Sequence, residues 1–184
     1  MSRNRRICPN DVLDAAERVV LKSGSSGLSI DAVAKEAGIS KSQVVYDHKT
    51  KSGLLEALVV RQLQRDGDFV KESVASCSKT QHPELFGRIK AAATGWEEAE
   101  RAVCMAVSAS LSSDDRLQEL MRQWQQNDLN AIKAGPKPRA ALVAYMALSG
   151  FSCMELFGFH KWSDEDREAL LSDIRKIYET FPDE

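Results

Sequence analysis

The sequence predicts an all-α protein with about nine helices. Apolar residues recur at steps of three and four along most of the chain, and no segment of useful length alternates apolar with polar residues as a half-buried strand would. Apolar residues make up 43% of the chain and charged residues 28%, an ordinary globular composition that argues against wholesale disorder. Short clusters of Gly, Pro and Ser separate the periodic segments and indicate where the helices end.

The first two helices are predicted from their apolar faces and their end signals. The first run of helical spacing stops at Ser23 and Gly24, where a polar turn begins. A short helix then covers Ile30–Ala37, with Ser29 able to cap its first turn and Gly38 able to take the left-handed conformation at its end. The apolar face of the first helix consists of Val12, Leu13, Ala16, Val19 and Val20.

A third short helix follows closely. Ser40 and Gln43 have the spacing of a capping box, in which each side chain satisfies a backbone N–H group of the other residue. The helix is expected to end near His48, and Thr50 is expected to cap a longer helix over residues 51–75. Two short helices joined at residues 38–40 form a helix-turn-helix.

Five further helices complete the chain. Pro83 opens the first of them, because Pro is favoured in a first helical turn, and residues 135–138, with one Gly and two Pro, form the strongest break. Residues 139–157 are apolar on nearly all sides, so this helix must be covered on several faces. The other segments are residues 99–111, residues 114–133 and a last helix after Ser163 with Leu170, Ile174, Ile177 and Phe181 on one stripe.

Several classes of protein are excluded by what the chain lacks. The longest uncharged run, residues 140–154, has 15 residues, whereas a bilayer span needs roughly 20, so we expect no transmembrane helix. The polar N-terminus does not resemble a signal peptide, and the expected location is the cytoplasm. The four cysteines and three histidines show no metal or redox spacing. We therefore expect reduced, mostly buried thiols, no enzyme activity, and neither metal nor cofactor.

The charge distribution favours a polyanionic partner for the N-terminal part. Residues 1–51 carry nine Lys and Arg against six Asp and Glu, within a chain of net charge −2. In a helix-turn-helix the second helix enters the DNA major groove with its N-terminal residues towards the bases. Here those residues are Lys41, Ser42 and Gln43, with Tyr46 and Asp47 one turn on. A plain helical hairpin with a solvated polar face is the alternative interpretation.

Residues 5–58 resemble the DNA-binding domain of the tetracycline repressor (TetR) family of bacterial transcription regulators. The C-terminal half is similar as well, since nine helices is the family total. Residues 150–158, followed by residues 163–167, resemble one of the common C-terminal subtypes. The matching N-terminal residues are Arg6, Ile7, Val12 to Ala16, Gly24, Leu28 to Ile30, Val33, Ala34, Ala37 to Lys41, Tyr46, Lys51, Leu54 and Leu55.

Three positions depart from the family pattern. The family usually has Gly at Ser42, His or a similar donor at Asp47, and Phe at His48, where the aromatic ring plugs the small domain's core. His48 is then packed as a neutral ring, directed at a phosphate, or paired with Asp47. Asp47 near the DNA backbone would repel phosphate unless it accepts a hydrogen bond from a cytosine amino group or from His48.

The resemblance implies a set of DNA contacts. Lys51, Ser29, Tyr46 and Lys49 would contact phosphates, and the arginines at positions 3, 5 and 6 form either an arm that reaches the DNA or a merely solubilising tail. The expected DNA-binding residues are Ser29, Ser40, Lys41, Ser42, Gln43, Tyr46, Asp47, His48, Lys49 and Lys51.

The resemblance also implies a division into a DNA-binding domain, residues 1–52, and an effector-binding and dimerisation domain, residues 53–184. The last two helices would pair with those of a second copy, and a largely apolar small molecule would release a dimeric repressor from a palindromic operator. Glu155 either binds a cationic group or faces solvent at the interface. The expected pocket residues are Trp96, Met105, Met121, Trp124, Tyr145, Phe151, Met154 and Glu155.

Two other functions remain open at this point. A TetR-like activator would keep the fold, and a small helical binding protein or enzyme would have no DNA role. Salt-dependent binding to random duplex DNA distinguishes the last class from a regulator.

Overall fold

The computed structural model describes residues 9–182, which form nine α-helices and no strand. The predicted all-α class is therefore confirmed. A single 3₁₀ turn, Leu111–Ser113, separates the sixth and seventh helices. The helices are α1 Pro9–Gly27, α2 Ile30–Ala37, α3 Lys41–His48, α4 Lys51–Ser76, α5 Pro83–Ala92, α6 Glu98–Ser110, α7 Asp115–Lys133, α8 Pro138–Phe157 and α9 Asp164–Thr180.

Local signals in the sequence set most of these ends. The Ser29 hydroxyl accepts a hydrogen bond from the Ala32 N–H group at 3.1 Å, and Ser163 caps α9 in the same way. Gly38 has a φ of 68°, so the left-handed end of α2 is as predicted. In α1 the helical path is interrupted at Gly24, with a φ of 62°, and one further turn carries the helix to Gly27.

The first compact unit contains the described residues up to Leu63 together with Glu97–Glu119. Within it, α1 packs against both α2 and α6. Arg61 of α4 pairs with Asp14 and Glu17 of α1 at 2.6 and 2.5 Å, which holds the first half of α4 against α1. The buried apolar side chains include Val12, Ala15, Ala16, Val20, Leu28, Val33, Val44, Leu54, Leu58, Val103 and Leu117.

The second compact unit contains Gln64–Trp96 and the described residues from Leu120 onward. Its core lies where α5, α8 and α9 meet. His82 is 1% exposed and uses both ring nitrogens: Nδ1 accepts from the Leu85 N–H group, and Nε2 lies 2.9 Å from the Ile132 carbonyl oxygen. This histidine therefore caps α5 and ties it to the end of α7. The helices α4 and α7 contribute residues to both units.

The expectation that the chain has no transmembrane helix stays a prediction. The helix α8 has 20 residues and, by length and composition alone, is apolar enough to cross a bilayer. The uncharged run of 15 residues is shorter than the helix, because α8 also includes the charged residues Arg139 and Glu155. Core helices of soluble proteins meet the same criterion, and Ala144, Tyr145 and Leu148 are among its buried residues.

The expectation of mostly buried thiols was wrong for the three cysteines that the structure describes. Cys77 and Cys104 are half-buried, and Cys153 is exposed. The fourth cysteine, at position 8, lies outside the described residues.

Candidate functional site

The segment from α2 to α3 forms the predicted helix-turn-helix. Val33 and Ala34 of α2 and Val44 of α3 are buried and hold the two helices together. Gly38 ends α2 with two backbone hydrogen bonds from the turn back to its last carbonyls, through its own N–H group and that of Ile39. The turn between the helices is therefore only three residues long, and it holds the short helix α3 close to α2.

The N-terminal residues of α3 form an exposed polar surface. Lys41, Ser42 and Gln43 are all exposed, and the Tyr46 side chain one turn on is 86% exposed. The Lys41 ammonium lies 3.0 Å from a carboxylate oxygen of Asp31, with both side chains mostly in solvent. Exposed pairs of this kind contribute about 0–1 kcal/mol. The pair therefore leaves Lys41 available to a competing polyanion.

Gln43 has a structural role within α3. Its Oε1 atom accepts hydrogen bonds from the backbone N–H group and the hydroxyl of Ser40, both at 3.1 Å. This is the glutamine half of the predicted capping box. The side-chain amide nitrogen of Gln43 can donate to a base while Oε1 stays bonded to Ser40. A contact to adenine through both atoms requires Oε1 to give up its hydrogen bonds to Ser40.

The corner between α3 and α4 is strained, a feature that the sequence did not reveal. Lys49 has a φ of 51° and a ψ of −46°, and the Thr50 N–H group donates to the His48 carbonyl at 2.5 Å, which makes a tight three-residue γ-turn. A Cβ atom at Gly53 would lie 2.3 Å from that same carbonyl oxygen. The first turn of α4 thus approaches the end of α3 as closely as only glycine permits.

His48 lies at this corner with its ring half-buried. Its Nε2 atom is buried and has no hydrogen-bond partner. Burial lowers the pKa of His48 below its ordinary value of 6.5, and the neighbouring Asp47 carboxylate opposes that shift. The neutral ring is therefore favoured. Of the three alternatives for His48, this geometry favours the packed neutral ring.

Nine of the ten predicted DNA contacts are exposed, and His48 is the half-buried exception. The Lys51 ammonium donates to the Ser25 carbonyl at 2.5 Å, which ties the start of α4 to the end of α1. The arginines at positions 3, 5 and 6 lie outside the described residues.

A second candidate site lies in the other compact unit. A cavity of about 340 Å³ is bounded by α4, α5 and α7, and Trp124 lines it. Arg88 in its wall lies 2.7 Å from Asp128 and also pairs with Glu84. The volume is at the lower end of small-molecule sites, which span about 300–1,000 Å³.

A hydrogen-bonded chain continues from this wall into the core. The Tyr145 hydroxyl donates to the Asp128 carboxylate and accepts from the Gln125 amide, each at 3.1 Å. Burial and the Asp128 charge raise the pKa of Tyr145 to about 12, so the hydroxyl stays protonated and able to donate. The sequence suggested none of Arg88, Asp128 or Gln125, since Arg88 and Asp128 are 40 residues apart.

The predicted pocket residues are distributed over both compact units. Trp124 lines the cavity at α4, α5 and α7, and Tyr145 contacts its wall through Asp128. Met121 lies one turn before Trp124 on α7. Trp96 is exposed at the end of a loop, and Met105 is 41% exposed on α6 of the first unit.

Besides Tyr145, three predicted pocket residues lie on α8, and their surroundings differ. Phe151 is buried and stacks on Trp162 at 6.2 Å, whereas Met154 is 37% exposed. Glu155 is paired with Arg167 of α9 at 2.6 Å. Arg167 also donates to the Ala92 and Ala93 carbonyls at the end of α5, so Glu155 helps to clamp three helices together.

Solved structures of similar fold cover nearly the whole chain. A transcriptional regulator from Rhodococcus sp. matches with a TM-score of 0.73 at 19% identity, covering 94% of this chain and 97% of its own. A regulator from Saccharomonospora viridis in complex with choline gives 0.72 at 15%, covering 94% and 95%. The multidrug binding protein EbrR complexed with malachite green gives 0.73 at 19%, covering 91% and 96%.

Comparison with known families assigns both parts of the chain. No curated protein matches. Residues 12–58 match "Bacterial regulatory proteins, tetR family", and residues 86–179 match "Tetracyclin repressor-like, C-terminal domain". The second match alone covers half of the chain. The exposed helix-turn-helix and these two matches together show that the chain belongs to the tetracycline repressor family and is a DNA-binding transcriptional regulator.

Proposed function

We propose that the protein is a dimeric repressor that binds a palindromic operator and is released by a small molecule in the cytoplasm. The observation that carries this proposal is the exposed, rigidly positioned N-terminus of α3, where Lys41, Ser42 and Gln43 face solvent together. In this proposal residues 1–52 bind DNA and residues 53–184 bind the effector and the second copy.

The proposed DNA contacts divide into base and backbone contacts. Lys41 donates to guanine and Gln43 contacts adenine in the major groove. Ser29, Lys49 and Lys51 hold phosphates, and a phosphate is also favoured by the partial positive charge at the α3 N-terminus. The remaining proposed contacts are Ser40, Ser42, Tyr46, Asp47 and His48.

The proposed dimer interface is the exposed face of α8, with α9 beside it. Val143, Met146 and Met154 are 38%, 51% and 37% exposed and recur at helical spacing. Gly150 lies between them, and a Cβ atom built there meets nothing within 4 Å. An apolar stripe with an open glycine at its centre suits close packing of a second helix.

The proposed effector is a small molecule with a largely apolar body. Trp124, Val70 and Val74 line the cavity at α4, α5 and α7 and supply apolar contacts, while Arg88 and Asp128 supply a polar anchor. Relatives of this fold bind malachite green and choline, which supports a small-molecule role for the corresponding part of this chain.

Coupling between ligand and DNA is proposed to run through α4 and α7. At their N-terminal ends the Ser52 hydroxyl donates to the Asp114 carboxylate, and Arg116 pairs with Glu56 at 2.9 Å. Asp114 also accepts from the Arg116 and Leu117 N–H groups at the start of α7. A shift of either helix is then transmitted to the other, and DNA and effector weaken each other's binding by the same factor.

Selection of bound duplexes from a random pool tests the proposal. We expect a motif with a dyad, whose half-sites reflect the two copies of α3, and an affinity that falls steeply with salt. A motif without a dyad contradicts the dimeric operator, and salt-independent binding contradicts phosphate contact. A reporter gene downstream of the selected site then distinguishes repression from activation.

A further inference from the structure

A second cavity in the second compact unit has no role in the function proposed above. It measures about 360 Å³ and lies between α5, α9 and the residue that follows α4. Its floor is formed by Phe86, Ile89 and Leu171, which are 4%, 9% and 6% exposed. It shares no lining residue with the cavity at α4, α5 and α7. The two cavities are therefore separate potential sites.

The charged residues that line this cavity are both cations. Lys90 of α5 and Arg175 of α9 contribute to its wall, and no Asp or Glu does. The Arg175 guanidinium carbon lies 4.3 Å from the centre of the Phe86 ring, so the cation is held directly over the apolar floor. The Lys90 ammonium donates to the Ser76 hydroxyl at 2.8 Å.

One carboxylate competes for these cations. Glu179 accepts from Arg175 Nε at 3.0 Å on the same helix. Arg175 pairs with Glu179 through Nε, and its side chain is 50% exposed, so its Nη groups are accessible donors for a carboxylate. The cavity thus combines a buried apolar floor with two cations at its edge.

We propose that this cavity binds a small anionic amphiphile, a free carboxylate with a short apolar chain. The chain would lie on Phe86, Ile89 and Leu171, and the carboxylate would accept from Arg175 Nη and Lys90 Nζ. A cationic amphiphile of equal length would be repelled by Lys90 and Arg175. A neutral amphiphile would offer these two cations no negatively charged acceptor. The charge complementarity therefore selects the anion.

Cys77 gives a readout confined to this cavity, because its side chain lines the wall. The purified full-length protein is treated with N-ethylmaleimide in the presence of decanoate below its micelle concentration, and alkylation of each cysteine is followed by peptide mass spectrometry. We expect decanoate to slow alkylation of Cys77 and to leave Cys104 and Cys153 unchanged. Decyltrimethylammonium, which has the same chain and the opposite charge, should not protect Cys77.

Three single variants and one double variant test the assigned contacts, with decanoate binding measured by calorimetry. Lys90→Gln and Arg175→Gln each remove one charged contact and should each weaken decanoate binding about tenfold. The double variant should abolish the protection of Cys77. Glu179→Gln should tighten binding, because it removes the competitor for Arg175. Lys176→Gln is the matched control, since Lys176 is a neighbouring cation on α9 that pairs with Asp173 at 2.8 Å and does not line the cavity.

Ser172→Trp provides a test that does not depend on charge. Ser172 is an exposed residue that lines the cavity, so the indole fills the space without altering the core, and decanoate should no longer protect Cys77. Equal protection by decanoate and decyltrimethylammonium, no protection by either, or equal weakening by Lys176→Gln and Arg175→Gln would each overturn the proposal. Thermal unfolding of every variant verifies that it is folded.

Discussion

The helices α3 and α8 both expose a surface to solvent, and the two surfaces differ in polarity. Of the eight residues of α3 only Val44 is buried, and its exposed N-terminal turn is polar. In α8 six of twenty residues are buried, and the exposed ones include Val143, Met146 and Met154. A polar surface at a helix N-terminus suits phosphate and base edges, whereas an apolar stripe suits another protein surface.

The contrast indicates how each surface achieves specificity. The α3 surface depends on geometry, because hydrogen bonds to base edges tolerate little displacement, and the strained corner at Lys49 and the close approach at Gly53 both fix its position. Association through the α8 surface depends on the exclusion of water from apolar side chains. We therefore expect the dimer to tolerate substitutions between apolar residues of different shape and to dissociate when a charge is introduced.

Met146→Glu is expected to have the largest effect. It places a carboxylate on the stripe of each copy, so that two like charges meet near the two-fold axis and the dimer dissociates. Because operator affinity depends on both half-sites being bound together, we expect it to fall by about a hundredfold or more. Sedimentation velocity at micromolar concentration measures the loss of the dimer directly.

Met105→Glu is the matched control. Met105 is 41% exposed on α6, so the same substitution introduces the same charge on a different exposed apolar surface. It should leave the dimer intact. If both variants remain dimeric, the interface does not lie on α8.

Gln43→Ala is expected to have the next largest effect, about 1–3 kcal/mol on the preferred operator, with relaxed choice at one position per half-site. Gln43→Glu keeps an acceptor for the Ser40 N–H group and therefore retains the cap while changing the base contact. The Gln43→Glu variant should lose the same base preference.

Lys51→Ala should weaken binding to all DNA sequences similarly and reduce the salt dependence of that binding. Equal sequence profiles for Gln43→Ala and Lys51→Ala would contradict the assigned roles.

The sequence predicted the helices and the helix-turn-helix because their signals are local. Caps such as Ser29 and Ser163 and the terminator Gly38 each act within four residues. The lining of the cavities could not be predicted, because Arg88 meets Asp128 from a helix 40 residues away and helix periodicity does not specify which faces pair. The strained φ of Lys49 was also invisible, since no glycine or asparagine marks it.

His48→Phe is expected to stabilise the protein by about 1 kcal/mol, because it removes a buried nitrogen that lacks a partner. The sign of the pH dependence follows from the lowered pKa. The unfolded chain takes up a proton on His48 as the pH falls through about 6.5, whereas the folded chain resists it, so the wild type loses stability on acidification. The advantage of the variant should therefore widen from about pH 7.5 to about pH 5.5. Urea unfolding at several pH values measures it, and a constant difference would mean that His48 does not titrate in this way.

Lys49→Gly is expected to have the smallest effect and to separate stability from DNA binding at one position. Glycine adopts a φ of 51° without the strain that a side chain incurs, but it also makes the unfolded chain more flexible, so the net stabilisation is a few tenths to about 1 kcal/mol. The lost ammonium should weaken operator and random DNA alike. Lys49→Ala loses the same charge and keeps the strain, so it should match the glycine variant in DNA affinity and remain less stable. The midpoints of urea unfolding compare the two variants, and an alanine variant as stable as the glycine variant would mean that the γ-turn at this corner is not strained.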